Sequence, residues 1–502
     1  MLETDTTAAP SSSRGDIARR TVLTTAAWAV PAVALTTASP AFAVSGARLT
    51  SISVPNNCVP AAGATTVTVT VANDSGAPVA GQTVSFAGPS GAVFSPTTTT
   101  TDSSGTATTS FDLNKRWASP GSTTTITATV NGASQSATPT VLGANALVFG
   151  QNHTSTPTQI ELVFPSPIVK MTSGIDLSTE GSTFFALALL QNGTVWAKGS
   201  NQYGQLGDGT TTNRSTWAQI SGLSSVTQIA AGQQTVVALQ SDGTVWNWGK
   251  ISRNGGPVDV SRPVQVSGLS GVTQIAVAPG LQAQYPAASF ALLSDGSVKA
   301  WGTNTNGMTG TDAGSNNPWT PTQVTGLTSG VKSIGAGGVH GGAVLSDGSV
   351  RTWGWNRNGQ LADGSTTDRE GPVSAQGLTT SATLFAGGFF CSFAAQADGS
   401  LRSTGAGTYN ARSGPSLTFQ GVPELTSGVS RVSLNCDAGY ALMNDGSVRT
   451  WGNNNNGQLG DGTTTSRSTP TALTTIPSGV TVTGFADNGK SARTMYLITG
   501  TS

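Results

Sequence analysis

Between residues 44 and 143, apolar and polar positions alternate in short runs that turn-forming residues separate. Val67, Val69 and Val71 alternate with threonine, which is the period-two pattern of a strand with one buried face. Asn73-Asp74-Ser75-Gly76 and Thr101-Asp102-Ser103-Ser104-Gly105 have the composition of turns. Short strands at this spacing predict a β-sandwich of about 100 residues.

From residue 144 to residue 502 the pattern repeats with a period of about fifty residues, and a repeat of this length determines the fold. The segment from Ser241 to Gly249, with Asp-Gly near its start and Trp-Gly at its end, returns at Ser294 and Ser346. The glycines that close the repeated segment are Gly150, Gly199, Gly249, Gly302, Gly354, Gly405 and Gly452. Each unit contains four apolar runs, and four-stranded sheets repeated around an axis form a propeller. The sequence therefore predicts an all-β chain, with a sandwich at 44–143 and a seven-bladed β-propeller at 144–502.

Two details of the repeats lead to further predictions. The Asp-Gly pairs predict two-residue hairpins of type I′, because that turn needs positive φ angles. The repeat region begins with only the tail of a unit, Ala146 to Gly150, and finishes with the head of one, Met495 to Ile498. We expect these two segments to pair within one blade and close the ring, which removes exposed sheet edges.

Both regions resemble known families. The loop from Asn201 to Gly209 recurs at Asn356 and Asn453, and together with the Asp-Gly turns and Trp-Gly ends it resembles the regulator-of-chromosome-condensation repeat. That resemblance implies a propeller, and secreted bacterial members of the family include β-lactamase-inhibitory proteins. The runs 74–86 and 101–107 resemble bacterial Ig-like domains of the invasin/intimin type. This second resemblance implies a spacer or an adhesive module at a cell surface.

Residues 1–43 have the pattern of an export signal. Arg19 and Arg20 precede an Ala-rich apolar stretch that Pro31 interrupts, and the segment ends in Ala41-Phe42-Ala43. The long polar lead resembles a twin-arginine signal. An uncleaved anchor is the alternative, although the apolar stretch is shorter than the roughly 20 residues that span a bilayer. We expect an extracellular or cell-surface protein with no membrane span in the mature chain.

Charge and composition narrow the classes of function. The chain has 24 Lys and Arg against 24 Asp and Glu, and only 10% of its residues are charged. Nucleic-acid-binding domains carry a basic surface, so we expect no nucleic-acid partner. With two His and three Cys, and no nucleophile–base pair, phosphate loop or metal-ligand spacing, the sequence predicts neither an enzyme nor a bound cofactor. We expect a monomer.

Candidate binding residues follow from the connections of an antiparallel blade. Alternate connections lie on opposite faces of the ring, so the Asp-Gly hairpins share one face and the loops after Trp-Gly share the other. The second face varies in sequence and carries aromatic and arginine residues, which are enriched at interface hot spots. The candidates are Tyr203, Tyr285, Trp355, Arg357 and Tyr409. The alternative for each is packing against a neighbouring loop.

Other recurring residues have structural interpretations. His340 stands in a strand without a nucleophile in register, which favours a structural role. Cys391 and Cys436 occupy nearly the same position in adjacent units, and both a cross-blade disulfide and two separate thiols fit their spacing. Four tryptophans recur at a fixed strand position and are expected to pack between blades rather than to form a ligand-binding ring: Trp248, Trp301, Trp353 and Trp451.

The function predicted from these features is a secreted or cell-surface binding protein whose propeller recognises a protein or a surface ligand. The resemblance leaves guanine-nucleotide exchange or GTPase binding as an alternative, because the eukaryotic namesake of the repeat has that activity. A polysaccharide-active enzyme is a further alternative, which would need paired carboxylates on one face.

Overall fold

The computed structural model describes most of the chain. The described ranges are 46–54, 58–60, 65–113, 123–142, 146–150, 153–159, 164, 166–176, 183–253, 256–280, 286–314, 317–406, 410–412, 414–435, 437–476, 480–488 and 494–500. Within them the structure is β-strand apart from turns, connections and one 3-10 turn at Thr305–Gly307, so the all-β fold class is confirmed. The predicted export signal at 1–43 and the predicted boundary between 143 and 144 lie outside these ranges, and both stay predictions.

The first region is a two-sheet sandwich. Its strands are β1 (Arg48–Ser53), β2 (Cys58–Pro60), β3 (Thr65–Ala72), β4 (Thr83–Ala87), β5 (Val93–Ser95), β6 (Thr98–Thr100), β7 (Thr106–Asp112), β8 (Ile126–Val130), β9 (Ala133–Ala137) and β10 (Thr140–Leu142). One sheet has the order β1-β3-β7-β5 and the other β6-β4-β8-β9, while β2 and β10 form a separate parallel pair. Val67, Val69 and Val71 point inward and join Phe111 and Ile126 in one buried cluster shared by the two sheets. Because apolar residues occupy alternate positions, the sequence pattern alone separates the core from the threonine-rich outside.

The second region contains seven blade sheets among the described residues. Blade 1 consists of β13 (Ile168–Asp176), β14 (Thr183–Leu190), β15 (Val195–Gly199) and β16 (Arg214–Gln219). Blade 2 consists of β17 (Val226–Ala231), β18 (Thr235–Gln240), β19 (Val245–Arg253) and β20 (Gly256–Gln265). Blade 3 consists of β21 (Val272–Ala278), β22 (Ala288–Leu293), β23 (Val298–Trp301) and β24 (Thr322–Gln323). Blade 4 consists of β25 (Val331–Ala336), β26 (His340–Leu345), β27 (Val350–Gly354) and β28 (Arg369–Ser374). Blade 5 consists of β29 (Ala382–Gly387), β30 (Cys391–Gln396), β31 (Leu401–Gly405) and β32 (Ser416–Gly421). Blade 6 consists of β33 (Val429–Leu434), β34 (Ala438–Met443), β35 (Val448–Gly452) and β36 (Arg467–Ala472). Within each of these blades the strands pair in chain order, and the first strand is innermost, in contact with the first strand of the next blade.

Blade 7 combines strands from the two ends of the repeat region. Its strands are β11 (Ala146–Gly150), β12 (Thr158–Gln159), β37 (Thr481–Phe485) and β39 (Thr494–Gly500), in the order β12-β11-β39-β37. A short strand β38 (Asp487–Asn488) adds to blade 1 beside β13. Val148 pairs with Tyr496 and Phe149 with Met495 in an antiparallel ladder. The predicted closure of the ring by these two segments is therefore confirmed.

The blades pack through the recurring tryptophans. Trp248, Trp301, Trp353 and Trp451 are all at most 2% exposed. The indole Nε1 of Trp248 donates to the backbone oxygen of Gln205, in the preceding blade, and Trp353 donates in the same way to Met308. Trp248 and Trp353 thus attach their blades to a loop of the preceding blade, and all four tryptophans belong to buried clusters with residues of that blade, as the prediction of inter-blade packing requires.

The Asp-Gly hairpins differ from the predicted type I′ turn. Gly243 has a φ of 81°, but Asp242 is not in the left-handed region, whereas type I′ needs positive φ at both central residues. The backbone N–H of Gly243 donates to the oxygen of Gln240, and the N–H of Gln240 donates to Thr244. The loop is therefore a type I turn closed by a left-handed glycine. Asp242 Oδ1 accepts hydrogen bonds from the backbone and hydroxyl of Thr244, which stabilises αR rather than αL at the aspartate.

Candidate binding face

The connections divide the propeller into two faces, which we call the hairpin face and the loop face. The hairpin face holds the Asp-Gly turns between the second and third strands of each blade, together with the connections from one blade to the next. The loop face holds the connections from the first to the second strand and the longer loops from the third to the fourth. This division follows from the antiparallel order of every blade.

The hairpin face is held together by one repeated hydrogen bond. At five blade junctions, the backbone oxygen of the hairpin glycine accepts from the first residue of the next innermost strand. The donor and acceptor pairs are Val226 to Gly193, Val272 to Gly243, Val331 to Gly296, Ala382 to Gly348 and Val429 to Gly399. Because main-chain atoms make the contact, this face has little freedom to vary in backbone shape.

Three loops on the loop face share an internal brace. Asn356 is fully buried, accepts from the backbone N–H of Leu361 through Oδ1, and donates through Nδ2 to Asp363. The carboxylate of Asp363 also accepts from Arg369 at 2.7 Å. Asn201 with Asp208 and Arg214, and Asn454 with Asp461 and Arg467, repeat the arrangement. These aspartates are engaged within their own loops, so they position the loop rather than face a ligand.

The brace also sets the ionisation of its aspartate. Burial raises the pKa of Asp363, but hydrogen bonds from Ser365 and Arg369 outweigh burial, so the pKa lies below its usual value. Asp208 and Asp461 show the same balance, with burial again opposed by hydrogen bonds, and their pKa values are also lowered. All three carboxylates are thus ionised at neutral pH and paired with arginine.

An aromatic cluster stands on the loop face where blades 4 and 5 meet. Trp355 follows the third strand of blade 4, and Phe389 and Phe390 lie in the first connection of blade 5. The Trp355 and Phe390 rings meet edge to face with centroids 5.7 Å apart, and Phe389 lies 5.1 Å from Phe390. All three residues are half-buried, so each packs against neighbours and is also partly exposed to solvent. Partly exposed aromatic rings held in fixed positions are the usual anchors of an interface.

Arg357 lies two residues after Trp355 in the same loop, whereas Tyr203 belongs to a different blade. The Arg357 side chain is 73% exposed, and its guanidinium lies 4.0 Å from the carboxylate of Asp368. Tyr203 is half-buried, with the ammonium of Lys250 over its ring at 4.2 Å from the centroid. Of the predicted site residues, Trp355 and Arg357 share one loop, while Tyr203 belongs to blade 1 and its ring is occupied by a cation. Tyr285 and Tyr409 lie outside the described residues, so their place in the site stays a prediction.

Phe389 and Phe390 were missed by the sequence analysis. They follow Gly387 and Gly388 in a short connection that has no recurring motif, whereas the predicted residues were chosen for their position after Trp-Gly. Two consecutive aromatic residues at the end of an innermost strand are the signal that could have identified them.

His340 and Cys391 lie in the interior. His340 is fully buried, and its Nε2 is 2.7 Å from the hydroxyl of Ser392 in the next blade. The hydroxyl is fully buried as well, so this pair holds two blades together out of reach of a substrate. Cys391 is buried, but Cys436 lies outside the described residues, so the disulfide stays a prediction.

The described part of the chain contains neither a metal-binding cluster nor a membrane-spanning helix. No group of three or more His, Cys, Asp or Glu side chains is arranged to hold a metal in that part of the molecule. None of its helical segments has the length and hydropathy needed to cross a bilayer.

Sequence comparison places both regions in known classes. Residues 49–142 match the model of the bacterial Ig-like domain (group 1). Residues 192–239, 347–395 and 445–486 match the regulator of chromosome condensation (RCC1) repeat, and 331–360 match a second model of that repeat. The class is therefore that of β-propellers built from RCC1-type repeats. This chain carries RCC1 repeats behind a bacterial Ig-like domain.

Individual relatives are distant. The ultraviolet-B receptor UVR8 of Arabidopsis thaliana is 27% identical over 300 residues, which cover 57% of this chain and 67% of the receptor. The probable E3 ubiquitin-protein ligase HERC6 of Homo sapiens is 33% identical over 216 residues, covering 41% of this chain but only 21% of the ligase. Human HERC2 is matched over 6% of its length.

Solved structures agree on the fold. Human WBSCR16 aligns with a TM-score of 0.60 at 20% identity, covering 70% of this chain and 99% of that protein. Prp20p from Saccharomyces cerevisiae, described together with its binding to Gsp1p and histones, aligns with a TM-score of 0.59 at 20% identity over 71% of this chain and 91% of its own. At this identity the similarity establishes an RCC1-type propeller and nothing finer.

Proposed function

We propose that this chain is an exported binding protein whose propeller recognises a protein or surface ligand through its loop face. The observation that carries the proposal is the aromatic cluster of Trp355, Phe389 and Phe390, whose rings pack against one another and are partly exposed to solvent. Arg357, two residues after Trp355, adds an exposed charge on the same loop. Aromatic and arginine side chains contribute most to interface energies. The hairpin face instead consists of the Asp-Gly turns and the connections from one blade to the next.

Export is supported by the sequence alone. Arg19-Arg20, the apolar stretch that follows and Ala41-Phe42-Ala43 form the signal pattern. The Ig-like module before the propeller suits a spacer that holds the propeller away from a surface. Replacement of Arg19-Arg20 by Lys-Lys should stop export by the twin-arginine route. Fractionation and immunoblotting of the producing cells measure this, and an unchanged extracellular level would exclude that route.

The binding proposal is tested with two matched variants of the secreted protein. The loop-face variant carries alanine at Tyr203, Trp355, Arg357 and Phe390. The control variant carries asparagine at Asp242, Asp295 and Asp347 on the hairpin face, where the amide keeps the turn's acceptor oxygen. Wild type and control should retain the same partner from the cell exterior in a quantitative pull-down, and the loop-face variant should lose it while its thermal unfolding changes little.

Two outcomes would reverse the proposal. Retention of the partner by the loop-face variant, with loss in the control, would move the site to the hairpin face. The shared fold with Prp20p also makes a small GTPase worth using as a purified probe. Acceleration of nucleotide release from the GTPase by this propeller would replace the present proposal with exchange activity.

A further inference from the structure

Blade 1 departs from the other blades at its seam with blade 7. The residue before the closing glycine is a tryptophan in blades 2, 3, 4 and 6, but it is Lys198 in blade 1. Trp217, on the neighbouring fourth strand, supplies a large ring instead, and the ammonium of Lys198 lies 5.2 Å from the centroid of that ring. The indole N–H of Trp248 donates to a loop carbonyl of the preceding blade, whereas that of Trp217 is buried without an acceptor among the described residues. The seam between blades 7 and 1 thus holds a cation and an unpaired donor where blade 2 has a complete hydrogen bond to its neighbour.

Two further donors belong to the same cluster as Trp217. Trp196 lies two residues before Lys198, and therefore on the same face of the sheet. The rings of Trp196 and Trp217 both pack edge to face on Phe164, with centroids 5.8 and 5.3 Å from it, and Tyr496 of blade 7 joins these rings in one buried cluster. In the part of the chain that the structure describes, neither the indole N–H of Trp196 nor the hydroxyl of Tyr496 has a hydrogen-bond partner. A buried donor without a partner costs free energy, so the cluster favours a ligand that accepts hydrogen bonds.

Lys250 shows what a lysine in such surroundings pairs with elsewhere in the propeller. Its ammonium lies over the ring of Tyr203, 4.2 Å from the centroid, and is 3.3 Å from the carboxylate of Asp259. An aromatic ring therefore does not replace the carboxylate, since the lysine contacts both. Lys198 has the same kind of ring contact, but no carboxylate of the described residues forms an ion pair with it. Burial lowers the pKa of Lys198, because the ammonium has lost water without gaining such a partner.

The lysine is also accessible. Lys198 and Trp196 are both half-buried, so each is partly exposed to solvent. Trp217 and Tyr496, at 9% and 1% exposed, form the buried part of the same cluster. A small ligand from solvent therefore meets the charge of Lys198 first and the buried donors behind it.

We propose that a small carboxylate binds at Lys198, in the seam between blades 7 and 1. Its oxygens accept from the ammonium of Lys198 and from the indole N–H groups of Trp217 and Trp196, as the carboxylate of Asp259 accepts from Lys250. The chemistry fits because lysine and tryptophan only donate hydrogen bonds, whereas an ionised carboxylate only accepts them, through about four lone pairs. The inference does not depend on the proposed binding by the aromatic cluster, which belongs to blades 4 and 5.

The test uses acetate as the probe, at up to about 10 mM and constant ionic strength, with binding measured by ligand-observed NMR on the full-length protein. We expect wild type to bind acetate and Lys198→Met to bind it at least about tenfold more weakly, because a charge-assisted contact is lost. Lys250→Met is the matched control, since that lysine also lies over a ring but already has its carboxylate, and it should bind acetate within about twofold of wild type. Acetamide, which resembles acetate in shape but has no charge, should not bind.

Two further measurements keep the proposal falsifiable if Lys198→Met folds poorly. Trp217→Phe keeps an aromatic ring but removes the indole N–H, and should weaken acetate binding by about threefold or more. In the wild-type protein, acetate should slow the reductive methylation of Lys198 but not that of Lys250, which peptide mass spectrometry measures.

Three results would overturn the proposal. The first is absence of acetate binding to wild type at the highest concentration. The second is equal binding to wild type and to a folded Lys198→Met variant, or methylation of Lys198 at an unchanged rate. The third is displacement of acetate by chloride at equal concentration, which would assign the site to small anions in general rather than to carboxylates.

Discussion

On the hairpin face five junctions repeat one main-chain hydrogen bond between a glycine turn and the next innermost strand, with donor–acceptor distances between 2.8 and 3.4 Å. On the loop face three loops share the Asn–Asp–Arg brace, and the others are built in different ways. Asn410, for example, donates to Gly405 and Gly414 instead of to an aspartate. The ring thus obtains a uniform backbone from one face and varied side chains from the other. A repeat protein can therefore change its binding surface without changing the contacts that stack its repeats.

The sharpest contrast in burial is between two tryptophans that lie two residues apart at the end of β27. Trp353 is 1% exposed, packs against Phe290 and donates to Met308, whereas Trp355 is half-buried beside Phe390. Trp353→Ala should lower the free energy of unfolding by about 3–5 kcal/mol, since it leaves a cavity between blades. Trp355→Ala should cost about 1 kcal/mol or less. Denaturant unfolding of both variants measures the difference, and equal losses would contradict the division of roles between the two tryptophans.

A glycine on the hairpin face should be nearly as sensitive. Gly348 has a φ of 82°, and a Cβ at this residue would lie 2.3 Å from the Cβ of Ser381 in the next blade. Gly348→Val should therefore destabilise the propeller by at least about 2 kcal/mol, through both backbone strain and the clash. Gly421→Ala is the control, because a Cβ there meets nothing within 4 Å. A thermal unfolding scan in which Gly348→Val melts like Gly421→Ala would show that the turn can move.

The brace on the loop face should have an intermediate effect. Asn356→Ala leaves the buried N–H of Leu361 without its side-chain acceptor and frees Asp363 on one side. We expect a loss of about 1–3 kcal/mol in the free energy of unfolding. Asn358→Ala, on the same loop but half-exposed, is the matched control. The loop should also become more accessible to proteases in Asn356→Ala than in the control, and unchanged proteolysis would argue against a positioning role.

The smallest expected effect is the difference in acid sensitivity between an aspartate of the loop face and one of the hairpin face. The folded-state pKa of Asp363 is lowered, because hydrogen bonds outweigh burial, while an unfolded aspartate titrates near 3.9. The contribution of Asp363 to the free energy of unfolding is complete above about pH 4. It disappears as the pH falls through the lower pKa of the folded state. The melting temperature of Asp363→Asn should therefore fall less between pH 5 and pH 2.5 than that of wild type. Asp347→Asn, at an exposed hairpin, should change this fall in melting temperature less than Asp363→Asn does. A larger change for Asp347→Asn would contradict the stabilising role given to the ionised Asp363.

The sequence predicted the architecture because the propeller's contacts recur with the sequence. Trp248 and Trp353 stand at the same place in their repeats because each must fill the same gap between blades, and such regularity is readable without a structure. The turn type was wrong because the dipeptide Asp242-Gly243 does not reveal that Ser241 also belongs to the loop. Whether a hairpin loop has two or three residues depends on the register of its strands.

The unpredicted parts of the site have no periodic signal. Phe389 and Phe390 matter because they form a cluster with Trp355, which belongs to another blade. A contact between blades exists only in the folded ring and leaves no pattern in the sequence. The pairing of Gln274 with the main chain of Ile334 was missed for a similar reason. Gln274 looks like an ordinary polar position of a half-buried strand, and its partner belongs to the next blade.

The ladder between Val148 and Tyr496 joins residues at opposite ends of the repeat region. During synthesis, β11 is made before β39, its partner in blade 7, and the six other blades are produced between the two strands. Bringing two such distant segments together carries a large loop-closure entropy, and contacts of this kind slow folding. We expect six blades to be stacked while the ring is still an open arc. An open arc presents an unpaired strand edge at each end, so the moment before closure is when two copies are most able to join each other instead.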